Sequence, residues 1–173
     1  MGQLTETMDQ AIKAITIKTG KYLTFSLNKE EYGIGILKVK EIIGMMPITT
    51  VPRTPEFVKG VINLRGKVIP VIDLRLKFSM EAIAYSDRTC IIVVEIESQD
   101  STVLIGIVVD AVSEVLNIKE EEIEETPAFG TRLNTDYILG MAKIEGGVKI
   151  LLNIDKILSS VEISNLENTS KQN

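Results

Sequence analysis

The sequence repeats one pattern in its two halves, and this repeat constrains the fold more than any other feature. Residues Gly60–Leu74 and Gly140–Ile154 each read as an apolar run, a short charged break that contains glycine, and a second apolar run. A glycine in such a break adopts positive φ without a Cβ clash, which suits a tight hairpin turn. Each segment is therefore predicted to be a β-hairpin that turns at Arg65-Gly66-Lys67 or at Glu145-Gly146-Gly147.

The residues before these hairpins also match between the halves. Strands are predicted at Tyr22–Leu27 and Cys90–Ile96, and the next strand of each half contains Tyr32-Gly33-Ile34 or Ile105-Gly106-Ile107. Each half is predicted to form a hairpin, a short helical turn, a third strand and a second hairpin. The third strands are placed at Pro47–Val51 and Glu122–Thr126. Five strands per half is the usual content of a small closed barrel, so the fold class is mostly β with two fused barrels.

The domain organisation follows from the limits of the repeat. Residues 20–160 are predicted to form one domain of two barrels, built from repeats at 20–79 and 88–157. The junction between the repeats has few turn-forming residues, so the barrels are expected to share an interface. A short C-terminal helix is predicted for Asp155–Leu166, and residues 1–19 and 167–173 are expected to be flexible termini.

Composition disfavours several classes of function. The chain has no histidine, which removes imidazole bases, imidazole metal ligands and a histidine phosphoacceptor. The formal net charge of −5 disfavours binding to nucleic acid. No apolar stretch approaches the roughly 20 residues of a membrane-spanning helix, so the protein is expected to be cytoplasmic. The lone Cys90, in a β-rich apolar run, is interpreted as a buried structural thiol.

The sequence offers little that resembles a reaction centre. The acidic run Lys119–Glu125 lacks the alternating ligands and the glycine of a calcium loop, and is interpreted as a solvated face. Asp73 is interpreted as a side chain that caps a strand end, because Asn153 stands at the matched place in the second half. No catalytic residue, metal site or cofactor is predicted. A barrel that binds oligonucleotides or small molecules, and an enzyme that uses carboxylates alone, remain alternatives.

The run Val61–Arg75 resembles the signature hairpin of CheW domains, and further blocks follow in that family's order. The similarity spans about Tyr22 to Leu158. The blocks are Glu31–Ile34, Val39–Ile42, Thr54–Gly60, Gly106–Asp110 and the hairpin at Leu139-Gly140. The resemblance implies two intertwined five-stranded barrels of SH3-like or OB-like type, with short helices and strand exchange between the barrels.

The resemblance also implies a function and a set of partners. It suggests a non-enzymatic adaptor of bacterial chemotaxis that binds the cytoplasmic tip of methyl-accepting chemoreceptors and the regulatory domain of the histidine kinase CheA. Such an adaptor is cytoplasmic and is recruited to the receptor array at the inner face of the membrane. The receptor tip is helical, so an apolar groove between the barrels is the expected acceptor.

The resemblance places receptor contacts at individual residues. Those it implies most directly are Val39, Glu41, Gly60 and Arg65, with Gly106, Val112 and Val115 of the second half as secondary contacts. Arg65, at the hairpin tip, is expected to fix the register of the partner through charge-assisted hydrogen bonds. On its own, Arg65 would be interpreted as an ordinary solvated turn residue. No kinase-contacting residue is assigned.

Overall fold

The computed structural model describes residues 20–97, 101–127 and 136–159 together with residue 162. Within these residues the chain is mostly β, which confirms the predicted fold class. The strands of the first half are β1 Lys21–Leu27, β2 Glu30–Gly35, β3 Val39–Gly44, β4 Val58–Leu64 and β5 Lys67–Asp73. Those of the second half are β6 Cys90–Glu97, β7 Thr102–Val109, β8 Ala111–Asn117, β9 Ile123–Glu124, β10 Ile138–Ile144 and β11 Gly147–Leu152.

Helical structure in the described residues is confined to single turns. One short α-helix follows β5, and three 3₁₀ turns lie before β3, before β9 and after β11; they are Leu74–Lys77, Ile36–Lys38, Glu120–Glu122 and Ile154–Lys156. Half of the helix predicted for Asp155–Leu166 falls outside the described residues. In the described half, Asp155 and Lys156 belong to the last 3₁₀ turn, residues 157–159 are not helical, and Glu162 is helical.

The structure corrects the prediction for the middle of each half. The interval for which only a helical turn was predicted contains a full strand, β3 or β8; a 3₁₀ turn precedes β3, whereas Asp110 alone precedes β8. Val39 and Ile42 lie three residues apart, which fits a helical turn. In the structure, however, burial alternates from residue to residue along β3, as in a half-buried strand. The predicted third strands shrink to a single bridge between Thr49 and Val61 and to the two-residue β9.

The hydrogen-bonded order of the strands shows that the two halves exchange their first hairpins. Sheet 1 has the order β8-β1-β2-β11-β10-β9, and sheet 2 has the order β3-β6-β7-β5-β4. The hairpin β1–β2 of the first half thus completes the sheet of the second half, and β6–β7 completes the sheet of the first. The exchanged hairpins join their hosts through parallel pairing, β2 with β11 and β7 with β5. This exchange is the intertwining that the family resemblance implies.

Among the described residues, three clusters of buried side chains form the core. The largest draws residues from both sheets, among them Phe25 and Ile34 of sheet 1 and Ile92 and Ile107 of sheet 2. The other two each belong to one sheet: that of sheet 2 comprises Ile62, Ile69, Val71, Ile91, Val93 and Val108, and that of sheet 1 comprises Tyr22, Ile118, Ala142 and Leu151. The sheets therefore share one central core, and each also wraps around a core of its own.

Strand β6 shows how the sequence produces this layering. Ile91 and Val93 belong to the core of sheet 2, whereas Ile92 and Val94 belong to the shared core. Successive side chains of a strand point to opposite faces, so a strand between two cores must be apolar on both. This requirement explains the unbroken apolar run that begins at Ile91.

The predicted capping of the strand ends at Asp73 and Asn153 is confirmed. Asp73 Oδ1 accepts a hydrogen bond of 2.9 Å from the backbone N–H of Arg75, and Asn153 Oδ1 accepts one of 3.2 Å from that of Asp155. Asp73 is also the N-terminal cap of the short helix that begins at Leu74. Both side chains thus satisfy backbone donors where the second hairpin of each half ends.

Candidate functional site

The structure brings two of the proposed contact residues into direct contact. Arg65 and Glu41 form a bidentate ion pair, with 2.8 Å from Nη1 to Oε1 and 2.5 Å from Nη2 to Oε2. Glu41 lies on β3, and Arg65 lies in the turn between β4 and β5. The Arg65 side chain is 70% exposed, so the pair presents a charged group at the surface in one defined geometry.

The local sequence holds the backbone of Arg65 in place. Leu64 pairs with Lys67, which leaves Arg65 and Gly66 as a two-residue loop with φ of 50° and 87°. Positive φ at both central residues is what a type I′ hairpin turn requires. The Asn63 side chain adds a hydrogen bond of 2.8 Å from the N–H of Gly66 to its Oδ1. The guanidinium therefore projects from a short and well-braced loop.

The ion pair also shifts the titration of both partners. Hydrogen bonds from the Arg65 guanidinium lower the pKa of the Glu41 carboxyl, and its positive charge acts in the same direction. The same contact raises the pKa of Arg65. Both groups are thus charged across the physiological range, and solvent screens their attraction because the pair is exposed.

The pair lies where the two ends of sheet 2 meet. Strands β3 and β4 are the outer strands of this sheet, and the contact between Glu41 and Arg65 draws these ends together. The bridge between Thr49 and Val61 adds backbone hydrogen bonds of 2.8 and 2.9 Å at β4. Contacts of this kind curve the sheet around its own core. The candidate site is accordingly part of the rim of the sheet 2 barrel.

Gly60 and Gly106 are both buried, and each makes room for a neighbour. A Cβ on Gly60 would lie 2.0 Å from the carbonyl oxygen of Thr49, and φ at Gly60 is +142°. A Cβ on Gly106 would lie 2.8 Å from Cγ2 of Ile91 in the core of sheet 2. Gly60 therefore shapes the rim beside the bridge, whereas Gly106 faces the interior.

Val112 and Val115 lie on β8, an outer strand of sheet 1, and not on the sheet that carries Arg65. They pair with Phe25 and Leu23, whose side chains belong to the shared core. Val112 packs partly against that core, whereas Val115 is 52% exposed. These residues thus continue the apolar face of the shared core to the surface at one edge.

Val39 holds the matching place on the outer strand of sheet 2. It is half-buried, pairs with Val94 and packs against the shared core. Ile42 pairs with Ile92 and is exposed; the resemblance included it in the block Val39–Ile42 but not among the receptor contacts. The sequence signal that could have identified Ile42 is its apolar side chain three residues after Val39. That spacing also fits one turn of a helix, so it does not indicate a strand. Both sheets therefore expose apolar side chains of β3 or β8 beside the shared core.

The described parts of the chain contain neither a candidate metal site nor a candidate membrane-spanning helix. Residues 20–97, 101–127, 136–159 and 162 contain no group of three acidic, cysteine or histidine side chains placed to hold a metal ion. No helix in these ranges is long and apolar enough to span a membrane.

The fold and the rim site together define a class of protein, the fused double β-barrels whose halves exchange hairpins. Comparisons with known proteins identify the family within this class. The model of the CheW-like domain matches residues 21–162. The chain therefore belongs to the CheW family of chemotaxis scaffolds.

Individual relatives agree with this assignment. Chemotaxis protein CheW of Klebsiella aerogenes is 42% identical over 151 residues, which cover 87% of this chain and 89% of that protein. Chemotaxis protein CheW of Bacillus subtilis is 38% identical over 121 residues, which cover 69% and 74% respectively. The crystal structure of the scaffolding protein TtCheW from Thermoanaerobacter tengcongensis superposes with a TM-score of 0.71 at 39% identity, covering 82% of this chain and 95% of that one.

Proposed function

We propose that the protein is a non-enzymatic adaptor that couples methyl-accepting chemoreceptors to the histidine kinase CheA. Membership of the CheW family supports the chemotaxis role. The observation that carries the proposal is the rim of sheet 2, where a braced hairpin tip holds the exposed Arg65–Glu41 pair in one geometry. Such a surface suits recognition of another protein because it is rigid before binding.

The proposed receptor-contacting surface combines apolar and charged groups from the rim. Val39 supplies an apolar contact next to the shared core, and Arg65 with Glu41 supplies oriented hydrogen-bonding groups. An amphipathic receptor helix would place its apolar side against Val39 and a polar side chain against Arg65. Val112 and Val115 of β8 are the proposed secondary contacts.

The two buried glycines enter the proposal in an indirect way. Gly60 determines how closely the segment around Thr49 approaches β4, so a side chain there would deform the rim. Gly106 acts on packing inside sheet 2 and has no side chain to offer a partner. Substitutions at either position would impair binding through the shape of the barrel.

The second proposed partner is the regulatory domain of CheA, for which no contact residue is assigned. Coupling requires that receptor and kinase bind at the same time, so the kinase contact belongs to a surface other than the Arg65 rim. The proposed location is the cytoplasm, at receptor arrays on the inner face of the membrane. The proposed domain spans residues 20–160.

The test is a titration of the protein with a receptor cytoplasmic-tip fragment, followed by isothermal calorimetry and by amide chemical shifts. We expect binding in the micromolar range, with the largest shifts on β3 and on the turn at Arg65. Arg65→Glu should weaken this binding at least tenfold, because it removes the guanidinium and sets two carboxylates side by side. Lys67→Glu is the matched control, since Lys67 is exposed at the same turn.

Two results would count against the proposal. Absence of binding to both the receptor fragment and the kinase regulatory domain at tens of micromolar would contradict the adaptor function. Equal effects of Arg65→Glu and Lys67→Glu would contradict only the assignment of Arg65, because the two substitutions change charge by the same amount. Circular dichroism of both variants establishes that the fold is retained.

A further inference from the structure

The chain passes between the two sheets twice, and an ion pair lies at each passage. Lys38 is the last residue before β3, where the chain enters sheet 2, and Asp110 alone separates β7 from β8, where it returns to sheet 1. Lys38 Nζ lies 2.7 Å from Oδ2 of Asp155, and Arg75 Nη1 lies 2.7 Å from Oδ2 of Asp110. Each ion pair thus joins a crossing residue to a residue of the opposite half.

The two ion pairs occupy similar positions in the repeat. Arg75 and Asp155 each follow the last strand of their half and each donate their backbone N–H to the capping side chain two positions earlier. Lys38 and Asp110 each directly precede the third strand of their half, β3 or β8. The two arrangements are similar and have reversed charges, although Lys38 and Asp110 differ by one position in the register, because Val39 matches Val112.

Each carboxylate of these pairs also fastens an exchanged hairpin. Asp110 Oδ2 accepts a hydrogen bond of 2.8 Å from the backbone N–H of Asn28, in the turn between β1 and β2. Asp155 Oδ1 accepts one of 3.1 Å from the N–H of Glu97, at the end of β6. The acids thus bind both the cation of the other half and a hairpin that has crossed between the sheets.

The charges of these two ion pairs are divided between the halves. The first half contributes both cations, Lys38 and Arg75, and the second half contributes both anions, Asp110 and Asp155. If two first halves were paired in the same geometry, Arg75 would face the equivalent of Lys38. Two second halves would bring Asp155 against Asp110, and like charges at such distances repel.

We infer that these two ion pairs specify the exchanged arrangement, in which each half accepts the hairpin of the other and pairing of like halves is disfavoured. They also set one relative orientation of the two sheets. This inference does not depend on the proposed partners, because it concerns the assembly of the chain itself.

The two pairs differ in burial, which decides where charges are best altered. The Arg75 side chain is 8% exposed and that of Asp110 is 22% exposed. Arg75 Nε also donates a hydrogen bond of 2.9 Å to the carbonyl oxygen of Glu81. Reversal there would leave unpaired charge in the interior. The side chains of Lys38 and Asp155 are 27% and 19% exposed, and Glu97 Oε1 lies 4.0 Å from Lys38 Nζ. We therefore expect this pair to tolerate substitution better than the pair of Arg75 and Asp110.

The test is a charge-reversal cycle on the more exposed pair in the full chain. Lys38→Asp and Asp155→Lys each place like charges together, whereas the double variant restores opposite charges and the native net charge. We expect each single variant to lower the melting temperature by about 4 °C and the double variant to lose less than the sum of the two, because opposite charges face each other again although the hydrogen bond from the N–H of Glu97 stays lost. Nitroxide labels at Lys67 and Glu145, with Cys90→Ala, report the distance between the two hairpin tips.

The label distances distinguish specification of the arrangement from simple packing. We expect one narrow distance distribution for the parent and the double variant, and a broader one for each single variant. A double variant whose loss equals the sum of the two single losses would overturn the inference, because it would show that only the native side chains fit. Single variants with unchanged distances would overturn it as well.

Discussion

At the scale of single residues, the glycines of the repeat show most directly how sequence determines packing. Gly106 lies on β7, between β6 and β5 of sheet 2, and there is no space for a methyl group between it and Ile91. Gly33 holds the matching place in the first half, where a Cβ would lie 3.0 Å from Cδ2 of Leu151. The motif Tyr32-Gly33-Ile34 and its counterpart at Gly106 therefore reflect a steric requirement of the two barrel interiors.

Gly106→Ala should lower the free energy of unfolding by about 2 kcal/mol, because the added methyl group overpacks the core of sheet 2. Urea unfolding followed by circular dichroism measures this loss. Gly147→Ala is the control, since a Cβ at Gly147 meets nothing within 4 Å. Equal stability of the Gly106→Ala and Gly147→Ala variants would show that the interior relaxes around the methyl group.

The Arg65–Glu41 pair predicts a pH dependence whose direction follows from the carboxylate. In the folded chain the pKa of Glu41 lies below its ordinary value of 4.5. The ion pair therefore makes its full contribution to folding stability at pH values above 4.5. The contribution disappears as the pH falls through the lowered pKa of the folded state. We therefore expect the stability difference between the parent and Glu41→Gln to shrink below about pH 4.5.

Side-chain carboxyl NMR gives a direct measurement of this effect. The Glu41 titration should move up toward its ordinary pKa in Arg65→Gln and stay in place in Lys67→Gln. A Glu41 midpoint that is the same in both variants would show that the pair does not persist in solution. Raised salt should reduce the shift, because the pair is exposed.

At the scale of elements, the sequence allowed prediction of the hairpins but not of their partners. Turns at Arg65 and Glu145 lie where the glycine pattern placed them, since a tight turn has local chemical requirements. Strands β3 and β8 were missed, because apolar residues three apart also suit a helix turn. Local sequence patterns do not indicate which sheet a hairpin joins, because β2 pairs with β11, a strand that is distant in sequence.

The same limit applies to the candidate site. Arg65 and Glu41 came from the family resemblance, and no spacing rule connects a strand residue with a hairpin tip 24 positions away. Their contact depends on the closure of sheet 2, which is a property of the tertiary fold. Ile42 was missed for the related reason that its strand was not recognised.

The turn between β1 and β2 provides a prediction at this scale. Leu27 pairs with Glu30, and the two loop residues Asn28 and Lys29 have φ of 51° and 71°. Positive φ strains a lysine but not a glycine, so Lys29→Gly should raise the free energy of unfolding by about 1 kcal/mol. Lys67→Gly is the control and should lower it, because Lys67 lies in β5. Thermal unfolding would contradict the argument if Lys29→Gly were destabilising.

At the scale of the whole molecule, the exchange of hairpins makes the two sheets parts of one folding unit. The shared core contains side chains from both sheets, and neither sheet is complete without a hairpin of the other half. A loss of packing inside one sheet should consequently weaken the other. Such coupling would suit the proposed adaptor function, in which two partners are held in a fixed relation.

Two adjacent residues of β6 allow this coupling to be measured by native-state hydrogen exchange. Ile91 faces the core of sheet 2 and Ile92 faces the shared core, and both are fully buried. Ile91→Val and Ile92→Val should each cost about 1 kcal/mol. If the molecule opens as one unit, both substitutions speed exchange of the Leu151 amide in sheet 1 about fivefold. Unchanged exchange at Leu151 in Ile91→Val would instead mean that sheet 2 opens alone, since that side chain lies in the core of sheet 2 only.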